Sequence, residues 1–199
     1  MNVPFYRFAR WLLWVLFATL FGFRMIGREN VPLTGALIVA CNHVSNLDPP
    51  ALGIGMPRPV SYMAKIELFR IPVLGRLIAW LGSFPVDRSR GDVGSFKTAV
   101  DVLARGMCLG IFPEGGRNVD GSKAPQLGVA LLASRSGATV VPAYVSGTSQ
   151  SKFRSRVTVT FGEPFRFEAG QKARRDDLAK WTEDLMVRIY ALREKSGAH

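Results

Sequence analysis

Four short, almost wholly apolar runs constrain what this chain can fold into: Ala36–Cys41 (ALIVAC), Val60–Ala64 (VSYMA), Met107–Phe112 (MCLGIF) and Thr139–Val145 (TVVPAYV). Runs this short and this uniformly apolar read as strands buried on both faces. Pro142 cannot donate to a ladder, so the fourth run is expected to end or bulge there. A fifth run, Arg156–Phe161 (RVTVTF), alternates with period two and reads as a half-exposed or edge strand. Helical patterns lie between the runs: Leu68–Leu81 with Pro72 in its first turn, Val93–Ala104 with Phe96, Val100 and Leu103 on one face, and Leu127–Ser134. Asp177–Arg193 repeats Leu178, Trp181, Leu185, Ile189 and Leu192 at three- and four-residue steps, an amphipathic C-terminal helix. Strands interleaved with helices predict an α/β fold, a mixed, partly parallel sheet flanked by helices. The 199 residues suffice for one full-sized core.

Lys and Arg total 26 against 15 Asp and Glu, a formal charge of +11. The excess is spread along the chain, which excludes a folded domain with a basic nucleic-acid arm; a basic face alone fits DNA, RNA or an anionic membrane. The N-terminus favours the membrane. Trp11 to Phe23 (WLLWVLFATLFGF) is thirteen residues without a charge, preceded by Arg7 and Arg10 and followed by Arg24. As a helix it would be about 20 Å long, short of the roughly 30 Å hydrocarbon core. Trp11 and Trp14 beside two arginines suit a helix lying in the interface or dipping partway into it. A buried core helix and a signal peptide lacking a cleavage site are the alternatives. The expected organisation is therefore a membrane-associating helix over residues 1–24 and one folded domain over 25–199.

Two cysteines and two histidines exclude a disulfide framework and supply no metal-ligand set, so no metal is expected. Cys41 and Cys108 both sit in apolar runs and read as core thiols.

The chemistry-bearing segment is Asn42-His43-Val44-Ser45-Asn46-Leu47-Asp48-Pro49, directly after the first strand. Open α/β sheets place their sites at the carboxyl ends of strands. A carboxylate fixes an imidazole's tautomer, and the other ring nitrogen then accepts a proton from a hydroxyl. Residues five apart diverge on a helix, so a turn after His43 is needed to bring Asp48 to its ring. Two further stations end apolar runs with a proline and an arginine: Gly82-Ser83-Phe84-Pro85-Val86-Asp87-Arg88 and Phe112-Pro113-Glu114-Gly115-Gly116-Arg117-Asn118. Guanidinium forks match phosphate geometry, and Gly115-Gly116 lets backbone amides approach an anion. Each station taken singly is also compatible with an ordinary solvated turn.

Taken together, these stations resemble the glycerolipid acyltransferases built on an H-x-x-x-x-D motif, most closely the 1-acylglycerol-3-phosphate acyltransferases. NHVSNLD is similar to the first motif, with His43 and Asp48 in its His and Asp positions. GSFPVDR is similar to the second, with Arg88 its basic residue. FPEGGRN is similar to the third, with Glu114 and Arg117, and Val141-Pro142-Ala143 to the short fourth. The resemblance spans roughly residues 25–165. It implies a glycerol-3-phosphate acyltransferase-like fold in which residues 25–199 form the catalytic domain. It also implies transfer of a fatty acyl group from a coenzyme A or acyl-carrier-protein thioester to the free hydroxyl of 1-acylglycerol 3-phosphate, giving phosphatidic acid. His43 would be the base, oriented by Asp48; Arg88 and Arg117 would bind the acceptor phosphate, supported by Glu114, Gly115 and Gly116. The resemblance implies no bound cofactor. The implied partners are an anionic membrane surface on the cytoplasmic face of the cell membrane, the lysophospholipid acceptor and, where it carries the donor, acyl carrier protein; no nucleic acid is expected.

Direct attack fits the residues, because Ser45 lacks a nucleophile elbow and reads, like Asn42 and Asn46, as a structural loop residue. Backbone amides near His43 are candidate donors to the tetrahedral oxyanion. Two departures touch acceptor binding: Gly116 stands where the family has threonine, and Ala124-Pro125-Gln126-Leu127-Gly128 lacks the usual lysine, leaving Lys123 just upstream. The acceptor alternatives are therefore another lysophospholipid or glycerol 3-phosphate. A non-catalytic basic membrane- or nucleic-acid-binding protein is the reading from a different class, and a lipid hydrolase is another.

Overall fold

The computed structural model of the chain describes residues 1–87, 93–149, 156–168 and 173–197. Among the described residues, eight strands form one sheet: β1 (Phe23–Ile26), β2 (Leu37–Cys41), β3 (Val60–Lys65), β4 (Phe84–Val86), β5 (Cys108–Ile111), β6 (Thr139–Ser146), β7 (Val157–Phe161) and β8 (Phe165–Arg166). Their order is β1-β7-β6-β2-β5-β3-β4, with β8 also paired to β6. The β1–β7, β6–β2, β2–β5, β5–β3 and β3–β4 pairs are parallel; only β7 and β8 run antiparallel to β6. The expected mixed, partly parallel sheet is present, and it is mostly parallel.

Alternation along β2 builds a core on each face of the sheet. Leu37, Val39 and Cys41 join Ala51, Leu52 and Met56 of α2 (Asp48–Gly55) and its C-terminal flank, and Phe17 of α1 (Val3–Phe21). Ile38 and Ala40 face the other way. They meet Ala99 and Leu103 of α5 (Val93–Ala104), Leu132 of α6 (Gly128–Ser136), and Leu185 and Ile189 of α7 (Arg175–Lys195). A strand covered on both faces has no polar side to show, which is why β2 reads LIVAC without interruption.

Several expectations are corrected. Within the run 156–161, Val157–Phe161 form β7, which lies between β1 and β6 and is buried at every position, so it is neither an edge nor half-exposed. Its alternating threonines, Thr158 and Thr160, are buried too. Pro142 neither ends nor bulges the fourth strand; β6 runs on to Ser146. The physical reason is a gap in the pairing. β8 pairs Thr139 and Val140, and β7 begins at Ala143. The Pro142 carbonyl accepts from Gly162 N–H (2.8 Å) on that side, and in an extended strand a residue's N and C=O point the same way. The missing N–H therefore faces the break between β7 and β8.

The expected helix 68–81 is two helices, α3 (Ile66–Phe69) and α4 (Pro72–Trp80). Pro72 holds the preceding residue, Ile71, extended (φ −80°, ψ 112°), which breaks the helix before it.

The N-terminal helix is also more than an appendage. Its 19 residues, about 28 Å, lie across the first core, with Tyr6 and Phe17 buried. Tyr6 Oη accepts from Val60 N–H (3.2 Å), and Arg10 Nη1 donates to the Met56 carbonyl (2.9 Å). No helix among the described residues is long and apolar enough to cross a membrane.

Candidate active site

Three adjacent strands, β5, β2 and β6, deliver the site at their carboxyl ends. After Cys41 the chain turns through His43–Leu47, and α2 starts at Asp48. The turn brings Asp48 Oδ2 to 2.9 Å from His43 Nδ1. The same oxygen accepts from the backbone N–H groups of Val44 and Ser45, both at 2.7 Å. The other carboxylate oxygen accepts from the Thr148 hydroxyl (2.5 Å), just beyond β6. Asp48 is fully buried, at 0% exposure, while the His43 side chain keeps 13%. A carboxylate only accepts, so Nδ1 carries the ring proton and Nε2 holds the lone pair. Nε2 has no hydrogen-bond partner among the described residues. Phe112 stacks on the imidazole, with ring centroids 4.3 Å apart at 27°, and fixes its plane. The geometry is that of a tautomer-fixed base presenting one free nitrogen.

Glu114 follows β5 and is likewise buried, at 3% exposure. Its Oε2 accepts from His43 N–H (2.7 Å), and its Oε1 accepts from Asn118 Nδ2 (3.2 Å) and Tyr190 Oη (2.6 Å). Burial, and then the adjacent Glu114 carboxylate, push the Tyr190 phenol upward, so it keeps its proton as the donor. Asn118 N–H in turn donates to the His43 carbonyl (2.6 Å). Glu114 thus clamps the backbone that carries His43. Asn42 clamps it from the other side, pairing both ways with the backbone of Val145 (3.0 and 2.8 Å). Ser45 Oγ accepts from Leu47 N–H (3.2 Å), the loop role expected of it.

The remaining candidates are less closely assembled. Arg117 is exposed and makes no hydrogen bond or ion pair among the described residues. Arg88 lies outside the described residues. Gly115 adopts φ 68°, and a Cβ there would sit 3.0 Å from Gln126 Cγ. Its N–H is directed to the Phe112 carbonyl (3.0 Å), so it closes a turn and is not held open for an anion; Gly116 beside it is half-buried. The amides near His43 are also engaged: those of 43, 44 and 45 hold carboxylates, and those of 47 and 48 bond to Ser45. Of this loop, only the exposed Asn46 amide is left without a partner among the described residues. Burial pushes the Cys41 thiol well up and that of Cys108 to about 12, which makes both poor nucleophiles. No cluster of three or more His, Cys, Asp or Glu suited to a metal exists among the described residues.

Thr148 and Tyr190 were not legible in the sequence. Thr148 sits 100 residues from the carboxylate it holds, and Tyr190 sits 76 residues from Glu114. No local pattern marks either.

The chain is similar to known proteins. Residues 22–146 match the family model described as Acyltransferase. The chain is 31% identical over 195 residues to the 1-acyl-sn-glycerol-3-phosphate acyltransferase of Bacillus subtilis (strain 168), covering 96% of this chain and 98% of that one. Against the 1-acyl-sn-glycerol-3-phosphate acyltransferase of Borreliella burgdorferi it is 30% identical over 126 residues, covering 62% of this chain and 50% of that one. The crystal structure of the 1-acyl-sn-glycerophosphate (LPA) acyltransferase PlsC from Thermotoga maritima superposes with a TM-score of 0.74 at 25% identity, covering 100% of this chain and 80% of that chain. The family match spans the strands β1 to β6 and the turn that joins His43 to Asp48, and on that footing the chain belongs to the acyltransferase family.

Proposed function

We propose that this protein transfers a fatty acyl group from an acyl-CoA or acyl-carrier-protein thioester to the free hydroxyl of 1-acylglycerol 3-phosphate, giving phosphatidic acid. One observation carries the reading: His43 is held through Nδ1 by a fully buried carboxylate, with Nε2 left for a substrate. The relatives named for this reaction supply the acceptor.

In this mechanism Nε2 takes the proton from the acceptor hydroxyl as its oxygen attacks the thioester carbonyl carbon. Asp48 stabilises the imidazolium that forms. Collapse of the tetrahedral intermediate breaks the C–S bond, and the departing thiolate takes the proton back from Nε2. No acyl-enzyme is required, which agrees with the two buried thiols. Arg117, exposed beside the site loop, and Arg88 are assigned to the acceptor phosphate.

The same reading places the protein on an anionic membrane surface at the cytoplasmic face. Support comes from two neighbouring helices. α1 exposes Phe8, Trp11, Leu12, Trp14 and Leu16, and α4 exposes Val73, Leu77 and Trp80. Phe5 meets Trp80 edge-on at 5.3 Å, joining the two surfaces. Lipid would cover the apolar area that this fold leaves in water.

The test is an acyl-transfer assay with purified protein, one thioester donor at a time, across acceptor headgroups. Lysophosphatidic acid should turn over fastest. Preference for another lysophospholipid or for glycerol 3-phosphate would replace the acceptor and keep the chemistry. Fatty-acid release to water without an acceptor would replace acyl transfer with hydrolysis.

A further inference from the structure

We propose that the open cavity lined by α1, β1, the turn after it and the end of α2 binds the phosphate of an anionic phospholipid headgroup, at a site separate from the His43–Asp48 pair. The proposal rests on the membrane-surface reading given above and specifies where the lipid is gripped.

The cavity is about 250 Å³. Three of its lining residues are arginines: Arg7 and Arg10 from α1, and Arg28, which opens the short 3-10 turn Arg28–Asn30. No acidic residue lines it among the described residues. Arg7, Arg10 and Trp14 recur at three- and four-residue steps, so α1 directs them to one side, with Trp11 adjoining. Arg10 is half-buried, and one of its N–H groups is tied to the Met56 carbonyl (2.9 Å), which pre-positions the rest of its fork. Arg7 and Arg28 are exposed, and their guanidinium groups make no hydrogen bond or ion pair among the described residues.

Gathering three guanidinium groups around one cavity costs mutual repulsion that an anion would relieve. Guanidinium pairs bind phosphate oxygens in a two-pronged fashion. The rest of the wall selects a lipid over a free anion. Trp11, Trp14 and Met25 line the same cavity, and the two indoles are exposed, as indoles are where headgroups meet acyl chains. Ile54, also in the lining, stands at the far end of α2 from Asp48, about 9 Å along the helix. The headgroup site and the catalytic pair therefore sit at opposite ends of one helix.

Co-sedimentation of the full chain with phosphatidylcholine vesicles, with and without phosphatidylglycerol, tests this. Wild type should prefer the anionic vesicles. Arg7→Gln/Arg28→Gln should lose roughly 30-fold of that partition, about fivefold for each charge. Arg175→Gln/Lys180→Gln removes the same charge from exposed positions on α7, in the opposite helical layer, and should leave partition unchanged. Equal losses for both pairs would reduce the effect to overall charge and overturn the proposal, as would no loss for the first pair. Tryptophan fluorescence that saturates with inorganic phosphate at matched ionic strength, without any vesicle preference, would overturn the lipid assignment in favour of a free anion. Partition is read without turnover. An intact partition result in a protein that transfers no acyl group would sink the function above alone, and the reverse outcome would sink this site alone.

Discussion

The loop after β2 and the outer side of α1 treat their polar groups in opposite ways. Around His43 the two carboxylates are buried and each accepts from three or more donors. On α1 the guanidinium of Arg7 has no partner among the described residues, and the indoles of Trp11 and Trp14 lie in water. The first region is satisfied within the chain, and the second leaves its charge and its indoles to solvent. Geometry at a reacting centre must be fixed before substrate arrives, because loosely held groups lose catalytic reach. An exposed surface has no such need.

The contrast is most exposed to failure at the base. His43→Ala should fold normally and lose at least about a thousandfold in turnover; near-normal turnover in a steady-state assay would remove the mechanism. Asp48→Asn keeps the shape of the carboxylate and removes its charge, so turnover should fall about a hundredfold or more while circular dichroism is unchanged. Thr148→Val strips the buried carboxylate of one donor and should cost roughly tenfold in turnover. Thr148→Ser should restore most of it, and a serine variant as poor as valine would show that the methyl group matters more than the hydroxyl. On the other region, Trp11→Ala should change unfolding free energy by no more than about 0.5 kcal/mol yet weaken vesicle binding; a large stability loss would mean the indole belongs to the core after all. The smallest effect is expected at the thiols. Burial raises both, with Cys108 at about 12, so the thiolate forms only at higher pH and alkylation near pH ~8 should leave activity intact until the chain is unfolded.

How much of this was legible in the sequence differs by distance along the chain. β2 and β5 announce themselves as apolar runs because both their faces are covered, β3 does so although it is half-buried or exposed beyond Ser61, and α5 and α7 do so because only one of their faces is covered. The His43–Asp48 contact is local, separated by five residues, so motif and turn chemistry reach it. β7 misled because threonine at alternate positions normally signals a solvent face, whereas here α7 covers it and the Thr160 hydroxyl is buried without a partner among the described residues. Pro142 misled because a strand can skip one donor where its neighbour changes from β8 to β7. β1, β4 and β8, at four, three and two residues, are too short to carry a pattern. The motif located Glu114 but not what it does, which is to grip the backbone of His43. Tyr190, which completes that grip, comes from the far end of the chain.

Asp48 is the partner of the imidazole and also the first residue of α2. The helix behind it is wedged into the core by Ala51, Leu52 and Ile54. A mutation that shifts this wedge, without coming near a ligand, will misalign the dyad. Lesions in hydrophobic packing under α2 should therefore behave like defects in chemistry: proteins that are folded, soluble and slow.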